Sequence, residues 1–562
     1  MAAAKPNALI SVYDKSGIEE FAKELDALGW NIYASGGTAT KIKEAGIPVT
    51  DVAELAGGGA ILGHRVVTLS REVFAGILAD TGSPNSKHES VDRKELQELG
   101  IPVIDLVCVD MYPLEEEIAK PGVKEKDVIE KTDIGGPTML RAAAKSRRIV
   151  LSVAEQRPEV IAWLKADKPN EEEFLHQLAA RAEYESARYI LASAQYLNGT
   201  HMSGYVARKF APTKYGENPY QADAGLYADN RIAVDTLGLD QFQHVQGMDL
   251  SFINETDIDC LVNTATHIAA GFQKNFTEVP ALAVGVKHGN ACGAAVGKTL
   301  PEAVKKMLEG DTRAIFGGVV IVNGEIDKEV ATLLRSHAMP EGQKRLLDGV
   351  IGSSVSDEAL EILNRAKLRL VVNPALANLS ERSLDTSRKV RPVRGGVLEQ
   401  PNYSFVFDLK ADYVESFGKV SEAQKRDLIL GWAIGSTSNS NTITLIKDGM
   451  LIGNGVGQQD RVGAGQLALS RTTIELPKVE TKGDKLVITV TLDKKKVEGA
   501  VAYSDSFFPF PDGPQILADA GIKAVLTSLN TDKHREILQG LADQGVGVLA
   551  GPDPTVRGFA KH

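Results

Sequence analysis

The strongest constraint on the fold is the alternation of short apolar segments with amphipathic helical segments in the first 155 residues. The apolar segment ALISVYD is followed by the helical pattern IEEFAKELDALG, and NIYASG is followed by TATKIKEAG. The alternation continues through IDLVCVDMY, a helical segment from about Ile134 to Lys145, and RIVLSV. Strands and helices that alternate in this way form parallel sheets covered by helices. The sequence therefore predicts an α/β fold whose ligands bind beyond the carboxyl ends of the strands.

Length and a break in the pattern divide the chain. At 562 residues the chain exceeds what one hydrophobic core organises, so about two to four structural units are expected. Residues 170–200 have a helical apolar period, whereas the stretch APTKYGENPYQ that follows has none. We therefore predict domains at residues 1–201 and 202–562. In the second region the α/β pattern passes twice through a similar order of elements, which predicts two related lobes.

Composition excludes several classes of protein. Apolar residues make up 43% and charged residues 24% of the chain, as in ordinary globular proteins, and no apolar run has the length of a membrane span. The formal net charge of -11 argues against a general nucleic-acid binder. Cys108, Cys260 and Cys292 form no metal-binding or disulfide pattern, which favours a reducing, cytoplasmic location. We expect small-molecule partners, and neither nucleic acid nor a membrane.

Two loops of the first region are candidates for binding an anionic ligand. The loop Ser35–Thr38 lies between a strand and a helix, where backbone N–H groups can cradle a phosphate. Small residues are equally well explained there by the needs of a tight turn. The segment Tyr13–Lys15 ends the first strand and is expected at the same edge of the sheet.

A second constellation surrounds Asp133, which precedes the glycine-rich start of a helix. Free N–H groups at such a helix start stabilise negative charge that develops on an oxygen. On the residues alone the favoured alternative is structural, with Asp133 capping the helix and Lys145 placed near its C-terminus. Tyr112 is by default a packing or surface aromatic residue.

In the second region Lys287 and His288 end an apolar strand and enter a glycine-rich loop. Both side chains require water or a polar partner, so a packing role is disfavoured and a functional role is favoured. An imidazole can take a proton from an attacking amine while an ammonium stabilises a carbonyl oxygen, which suits acyl or formyl transfer. The last residues, Arg557 to His562, are expected to fray.

Eight motifs in fixed order carry a family resemblance. They are SVYDKSGIEEFAKEL, ASGGT, DIGGPTMLRAAAK, KYGENPYQ, VKHGNACGAAVG, IFGGVV, GNGVGQQDR and SDSFFPF. Together they span nearly the whole chain, and it resembles the bifunctional purine-biosynthesis family that joins AICAR transformylase to IMP cyclohydrolase. The resemblance implies an N-terminal methylglyoxal-synthase-like parallel-sheet domain, two C-terminal cytidine-deaminase-like α/β lobes, and a homodimer.

The resemblance also implies the chemistry. A formyl group passes from 10-formyltetrahydrofolate, a co-substrate, to AICAR, and formyl-AICAR then closes to IMP with loss of water, with no metal or redox cofactor required. The implied catalytic residues are Lys287 and His288 for transfer, and Tyr112, Asp133 and Lys145 for ring closure. The implied cyclohydrolase binding residues are Tyr13, Asp14, Lys15, Ser35, Gly36, Gly37, Thr38, Arg65, Thr68, Asp110 and Ile134. The implied transformylase binding residues are Lys214, Tyr215, Gly317, Asp348, Asn439, Arg461, Phe507, Asp512 and Arg557.

Departures from the family pattern fall in both regions. Val67 and Ser70 stand where the family has a lysine and a histidine, and Arg71 is close enough in sequence to replace the lost cation. In the second region Lys214 replaces an arginine, which loses bidentate phosphate geometry. Two alternatives therefore stay open. The chain is a transformylase whose N-terminal domain is a slow cyclohydrolase, or that domain is a non-catalytic nucleotide-binding module.

Overall fold

The computed structural model describes residues 5–62, 65–80, 89–228, 235–472, 478–482, 485–489 and 491–561, with 478–482 and 485–489 as backbone only. The chain divides into two compact units, the first ending at Arg208 and the second beginning at Lys209. Within the described residues, no helix combines the length and apolar character that a membrane crossing requires.

The first unit is built on a five-stranded sheet in the order β3-β2-β1-β4-β5, with every pair of neighbours parallel. Its central strands are continuous apolar runs, as expected when helices cover both faces of a sheet. The parallel α/β fold predicted from the alternating pattern is confirmed. The strands are β1 (Asn7–Ser11), β2 (Asn31–Ala34), β3 (Thr50–Asp51), β4 (Leu106–Val109) and β5 (Ile149–Leu151).

Ten helices accompany this sheet in the described part of the first unit. Their apolar faces pack with the strands into one core that includes Phe21, Trp30 and Trp163. The helices are α1 (Ile18–Ala27), α2 (Gly36–Glu44), α3 (Val52–Leu55), α4 (Arg71–Leu78), α5 (Glu89–Leu99), α6 (Leu114–Ile118), α7 (Glu125–Glu130), α8 (Gly135–Lys145), α9 (Gln156–Lys165) and α10 (Glu171–Asn198).

The second region contains a mixed twelve-stranded sheet in the order β18-β25-β24-β23-β19-β20-β10-β9-β11-β13-β15-β8, and the remaining described strands form four two-stranded pairs. The strands are β6 (Arg208–Pro212), β7 (Gly225–Ala228), β8 (Gln243–Gln246), β9 (Ala281–Lys287), β10 (Asn290–Gly297), β11 (Val319–Val322), β12 (Glu325–Ile326), β13 (Gly349–Gly352), β14 (Ser354–Val355), β15 (Arg369–Val372), β16 (Arg388–Val393), β17 (Gly396–Pro401), β18 (Glu415–Phe417), β19 (Ile443–Lys447), β20 (Met450–Gly455), β21 (Lys478–Lys482), β22 (Lys485–Thr489), β23 (Val501–Ser504), β24 (Ala524–Leu529) and β25 (Gly547–Pro552).

Two halves of the large sheet have the same strand order. In one half the order is β10-β9-β11-β13-β15, and in the other it is β20-β19-β23-β24-β25. In each half the first two pairs of neighbours are antiparallel and the last two are parallel. The halves meet through the antiparallel pair β10 and β20.

Two long helices, α11 (Phe252–Phe276) and α15 (Glu422–Ser436), pack together in the largest core, around the fully buried Trp432 and Phe272. Each begins at a serine whose hydroxyl accepts the N–H of the third helical residue, which ends the preceding loop sharply. The other helices are α12 (Leu300–Gly310), α13 (Lys328–Ser336), α14 (Asp357–Ile362), α16 (Arg461–Ser470), α17 (Lys494–Val497), α18 (Asp512–Asp519), α19 (Asp532–Asp543) and α20 (Asp553–Val556).

The expectation that the last residues fray is wrong for the described residues through Lys561. The N–H of Gly558 donates to the carbonyl of Asp505, and that of Ala560 donates to the carbonyl of Ser436. Lys561 also forms a bridge with Asn439. Backbone pairing over a long sequence distance therefore fixes the end of the chain on the second unit.

Candidate active sites

The first candidate site lies at the carboxyl edge of the five-stranded sheet. The loop Tyr13–Lys15 follows β1, Ser35 follows β2, and Asp110 and Tyr112 follow β4. Because these strands are parallel neighbours, the sheet brings the three segments to one edge.

Side-chain contacts fix the loops at this edge. The hydroxyls of Ser11 and Ser35 lie 2.7 Å apart, and the Thr38 hydroxyl donates to the carbonyl of Val12 at 3.2 Å. A Cβ on Gly37 would lie 3.2 Å from Cε of Lys15, so the lysine stem passes over the start of α2. The predicted Tyr13–Lys15 and Ser35–Thr38 segments therefore lie side by side.

Tyr112 and Asp133 form the centre of this site. The ring of Tyr112 packs edge-on against that of Tyr13, with centroids 5.5 Å apart. Burial raises the pKa of Tyr112 above its ordinary value, and the nearby charge of Asp133 adds to the rise. Burial also raises the pKa of the Asp133 carboxyl, although backbone N–H groups of Gly136, Tyr112 and Gly135 oppose the rise.

Asp133 contacts the start of α8, but the structural alternative predicted for it is wrong in one respect, because the N-cap of this helix is the next residue, Ile134. Oδ1 of Asp133 accepts the N–H of Gly136 at 2.9 Å, close to the start of α8. The N–H of Asp133 donates to the hydroxyl of Tyr189 at 2.7 Å. The helix start therefore holds the carboxyl in place.

Other predicted residues lie apart from this centre or have protein partners. Lys145 is the last residue of α8 and is exposed. The helix rises about 1.5 Å per residue, so its ten steps separate Lys145 from the Asp133 end by roughly 15 Å. Arg65 donates to both carboxylate oxygens of Glu130, at 2.8 and 2.9 Å. Ile134 is 62% exposed.

The departures in this region have local structural roles. Ser70 caps α4, because its hydroxyl accepts the N–H of Val73 at 3.2 Å. Val67 packs against the hydrophobic core. Arg71 pairs with the adjacent Glu72 at 3.2 Å, and 75% of its side chain is exposed. The guanidinium of Arg71, the cation nearest in sequence to the lost lysine, is therefore paired with Glu72 in this conformation.

The second candidate site lies at one edge of the twelve-stranded sheet. Strands β9, β20, β23 and β25 end at this edge, and strands β10, β11, β13 and β19 begin there, as their registers require. Several predicted binding and catalytic residues lie at this edge or within a few positions of the strand ends. They are Lys287, His288, Gly317, Asp348, Asn439, Arg461, Phe507, Asp512 and Arg557.

His288 occupies a turn that holds its backbone in a rare conformation. Lys287 pairs with Asn290 across the hairpin, and the two residues between them have positive φ, 53° at His288 and 73° at Gly289. This is the two-residue hairpin turn that normally selects asparagine and glycine. The Gly289 N–H donates to Asp257 at 2.8 Å, which ties the turn to α11.

Lys287 and its neighbours form one end of the site. The Lys287 ammonium donates to the carbonyl of Phe316 at 3.1 Å and lies 3.9 Å from a Cβ placed on Gly317. Gly317 has φ 68°, so its left-handed backbone favours glycine. Asp348, just before β13, donates its N–H to the carbonyl of Gly318 at 2.8 Å.

Asn439 and Arg461 form the other end. The Asn439 N–H donates to Oδ1 of Asn290 at 3.0 Å, which connects this end to the His288 turn. Arg461 donates to the buried carboxylate of Asp505 at 3.0 Å and to the carbonyl of Ser506 at 3.3 Å. Burial raises the pKa of Asp505, and the Arg461 charge opposes the rise.

Three predicted residues follow β23 and β25. Phe507 stacks on His534 with centroids 4.3 Å apart. Arg557 donates to Asp553. Burial works to raise the pKa of Asp553, but hydrogen bonds from Arg557 and two serines leave it below its ordinary value. Asp512 begins α18 and is exposed.

Lys214 and Tyr215 lie in the loop between β6 and β7. The Lys214 ammonium is 5.8 Å from the ring centroid of Tyr215. The Thr213 hydroxyl donates to the carbonyl of Tyr215 at 3.1 Å, which fixes the loop. Both residues belong to the second unit, but their contacts described here stay within this loop.

Residue patterns did not reveal several members of these sites. Arg157, Asp257 and Lys561 each reach a site segment through a long-range contact. Asp553 was also missed, although it stands four residues before the predicted Arg557, a helical spacing that favours their pairing. The others occupy positions that no periodicity distinguishes from solvated surface.

Comparison with known proteins supports one family for the whole chain. The model of the AICARFT/IMPCHase bienzyme family matches residues 143–471, and the MGS-like domain model matches residues 17–138. The bifunctional purine biosynthesis proteins PurH of Bacillus cereus and Anoxybacillus flavithermus are each 34% identical to it over 97% of this chain and 98% of theirs. The crystal structure of ForH matches 35% of this chain and 100% of its own, at 35% identity and a TM-score of 0.31. This chain therefore belongs to the AICARFT/IMPCHase bienzyme family, whose two enzymes are AICAR formyltransferase and IMP cyclohydrolase.

Proposed function

We propose that residues 202–562 transfer a formyl group from 10-formyltetrahydrofolate to the amine of AICAR, and that residues 1–201 close formyl-AICAR to IMP. The observation that carries the first assignment is the Lys287–His288 turn, where a non-glycine residue keeps a left-handed backbone at the edge that collects the other polar residues. Such strain persists at functional positions when the surrounding structure enforces it.

In formyl transfer the amine nitrogen of AICAR attacks the formyl carbon, the bond from that carbon to the folate nitrogen breaks, and the proton that the amine loses ends on the departing folate nitrogen. His288 accepts the amine proton, and the Lys287 ammonium stabilises the negative charge that develops on the formyl oxygen. The carbonyl of Phe316, at 3.1 Å, orients that ammonium.

Substrate binding is proposed for the remaining edge residues. Arg461 and Arg557 each pair with a buried carboxylate, Asp505 and Asp553, and we assign their remaining N–H groups to binding anionic groups of the ligands. Across neighbouring strands spaced about 5 Å apart, Asp348 and Arg557 stand on the order of 40 Å from each other, so one small ligand cannot contact both within a single chain. The proposed ligand contacts in this unit are Lys214, Tyr215, Gly317, Asp348, Asn439, Arg461, Phe507, Asp512 and Arg557.

Ring closure is intramolecular, because the carboxamide nitrogen attacks the formyl carbon and water leaves. Positioning and charge stabilisation can therefore supply much of the rate. Asp133, at the start of α8, accepts the proton that the attacking amide nitrogen loses. Tyr112 donates a hydrogen bond to the developing oxyanion. Lys145 stays a prediction, with the length of α8 between it and Asp133. The proposed ligand contacts are Tyr13, Asp14, Lys15, Ser35, Gly36, Gly37, Thr38, Arg65, Thr68, Asp110 and Ile134.

A second candidate function is a transformylase whose N-terminal domain only binds a nucleotide. The specific observations in its favour are that Val67 joins the core, Ser70 caps a helix, and Arg71 pairs with Glu72. Val67 and Ser70 carry no charge, and the charge of Arg71 is paired with that of Glu72.

Formyl-AICAR without folate separates the two candidates. Formation of IMP by the purified chain, lost in Tyr112→Phe and Asp133→Asn, supports ring closure. Binding of IMP with no turnover above background supports the second candidate. Release of tetrahydrofolate from 10-formyltetrahydrofolate and AICAR tests the transfer in parallel. His288→Asn keeps a side chain that tolerates the left-handed turn but removes the imidazole, so loss of transfer with unchanged thermal stability supports the assigned role.

The partner proposed for the second unit is another copy of this chain. The β16–β17 hairpin pairs with no other described strand, and a lone hairpin is marginally stable in water. Val390, Val393, Val397 and Leu398 of this hairpin are 42–61% exposed. Sedimentation should give a dimer for the native chain and a smaller species for Leu398→Asp, with Val91→Asp as the exposed control. A native monomer contradicts the proposal.

A further inference from the structure

One buried cation at the first site has no part in the proposed chemistry. Arg157, the second residue of α9, is only 5% exposed, although a guanidinium normally remains in water. Its Nη1 donates to the carbonyl of Ser16 at 2.7 Å, and its Nη2 donates to Oδ2 of Asp110 at 3.2 Å. Its fork therefore joins the loop after β1 to the end of β4.

The carboxylate of Asp110 extends this connection. Its other oxygen, Oδ1, accepts the N–H groups of Tyr13 and of Asp14, the latter at 3.3 Å. The Asp110 carboxyl has a raised pKa because of burial, and the Tyr13 N–H and the Arg157 charge oppose that rise. The Arg157 guanidinium and the Asp110 carboxylate thus tie the loop after β1 to the segment after β4.

Both loops carry proposed active-site side chains. Tyr13 belongs to the first loop, and Tyr112 follows Asp110 by two residues on the second. Their rings touch edge-on at 5.5 Å, so a displacement of either loop changes the position of both hydroxyls. The two guanidinium contacts go to Ser16 and Asp110 in these loops, so Arg157 can act on the tyrosines through the loops.

We propose that Arg157 is a positioning residue for ring closure, because its bridge to Ser16 and Asp110 fixes Tyr13 and Tyr112 relative to each other. This inference rests on the proposed cyclohydrolase function of the first unit. The planar guanidinium is essential, because its two terminal nitrogens donate to the Ser16 carbonyl and to the Asp110 carboxylate at once. A lysine has one charged nitrogen and cannot reach both acceptors.

Arg148 offers a matched control in the same unit. It is also 5% exposed, and it donates to the carbonyls of Ile77 and Ala79, at 2.8 and 2.5 Å. These acceptors lie at the C-terminal end of α4. Loss of Arg148 therefore removes a buried cation without touching the two loops.

The experiment compares Arg157→Lys and Arg157→Met with Arg148→Lys and Arg148→Met. Amide hydrogen exchange of the segments around Tyr13 and Tyr112 is measured first, because it reports the loops without any turnover. Exchange at the Tyr13 and Asp14 amides should accelerate in both Arg157 variants and stay native in the Arg148 variants. With formyl-AICAR, kcat should fall about 10- to 100-fold in the folded Arg157 variants, with Arg157→Lys the milder.

Three outcomes would overturn the positioning role of Arg157. Native exchange at Tyr13 and Asp14 in folded Arg157→Lys overturns the positioning role, whatever the activity. Accelerated exchange with native kcat overturns it as well. An equal loss of kcat in the Arg148 variants shows a general packing effect and also overturns it. If the native chain binds IMP without turning over formyl-AICAR, the cyclohydrolase proposal fails, and the positioning role is then decided by whether IMP affinity falls only in the Arg157 variants.

Discussion

Replacing Gly136 by alanine tests the placement of the Asp133 carboxyl most directly. A Cβ on Gly136 would lie 2.4 Å from Oδ2 of Asp133, whereas real Cβ atoms essentially never approach closer than 3.0 Å. The carboxyl must therefore retreat by about 0.6 Å, since Met111, at 3.1 Å on another side, limits movement of the helix start. An error of about 1 Å in a reacting group can reduce a rate about 100-fold, so we expect a loss of about tenfold in kcat for ring closure.

The same change also moves the pH dependence. The Gly136 N–H lowers the pKa of Asp133 against the larger effect of burial, so a lengthened hydrogen bond raises that pKa further. If ring closure requires the ionised carboxylate, its acidic limb should shift to higher pH.

The assay follows IMP formation from formyl-AICAR across pH, and tetrahydrofolate release from the same samples is the control. Alanine is the better helix former by about 1 kcal/mol, so the variant should stay folded. Native kcat with an unshifted acidic limb would refute the role of Asp133, and a parallel loss of formyl transfer would refute its restriction to ring closure.

Three further changes test the second unit. Arg461→Gln leaves the Asp505 carboxylate, 1% exposed, without its cation, so urea denaturation should show a loss of about 3 kcal/mol together with lost formyl transfer; native stability contradicts this. Lys561→Met removes the donor to the Gly289 carbonyl at 3.0 Å, and we expect slower formyl transfer with unchanged ring closure in paired assays; equal losses would point to general unfolding. Burial raises the pKa of Asp427 from its ordinary value of 3.8 to about 6. Below pH 3.8 the Asp427 carboxyl is protonated in both the folded and the unfolded chain, so its contribution to stability is fully present there. That contribution is lost as the pH rises through the folded-state pKa of about 6. Thermal unfolding at several pH values should show this decline in the native chain, and Asp427→Asn should flatten it.

Local patterns predicted the first unit well because its constraints are local. Apolar strands alternate with helices, and parallel pairing then brings Tyr13, Ser35 and Tyr112 to one edge without further information. The same reasoning gave Asp133 a structural and a catalytic interpretation, and the structure shows its contact with the helix start, although Ile134 is the N-cap. The catalytic role of Asp133 stays a prediction, because a structural contact and catalysis both require its carboxyl beside the start of α8.

Long-range contacts were the part that patterns could not supply. Arg157 and Asp110 are 47 positions apart, and Lys561 reaches Gly289 over 272 positions. Nothing in the local sequence distinguishes such cations from solvated ones, since the partner is set by strand order. The expected fraying of the C-terminus was wrong for this reason, because the backbone of Gly558 pairs with a distant strand end.

The departures in the first unit have a specific kinetic consequence under the proposed function. Val67 and Ser70 have become a core residue and a helix cap, and neither contacts Tyr112 or Asp133 in the hydrogen bonds described. A cation lost from a phosphate site weakens substrate and transition state alike, because the phosphate takes no part in ring closure. Uniform loss of binding raises KM and leaves kcat unchanged. If the first unit is a slow cyclohydrolase, its rate of IMP formation should therefore rise to a normal kcat at saturating formyl-AICAR. If it only binds nucleotide, no IMP should form even at saturation.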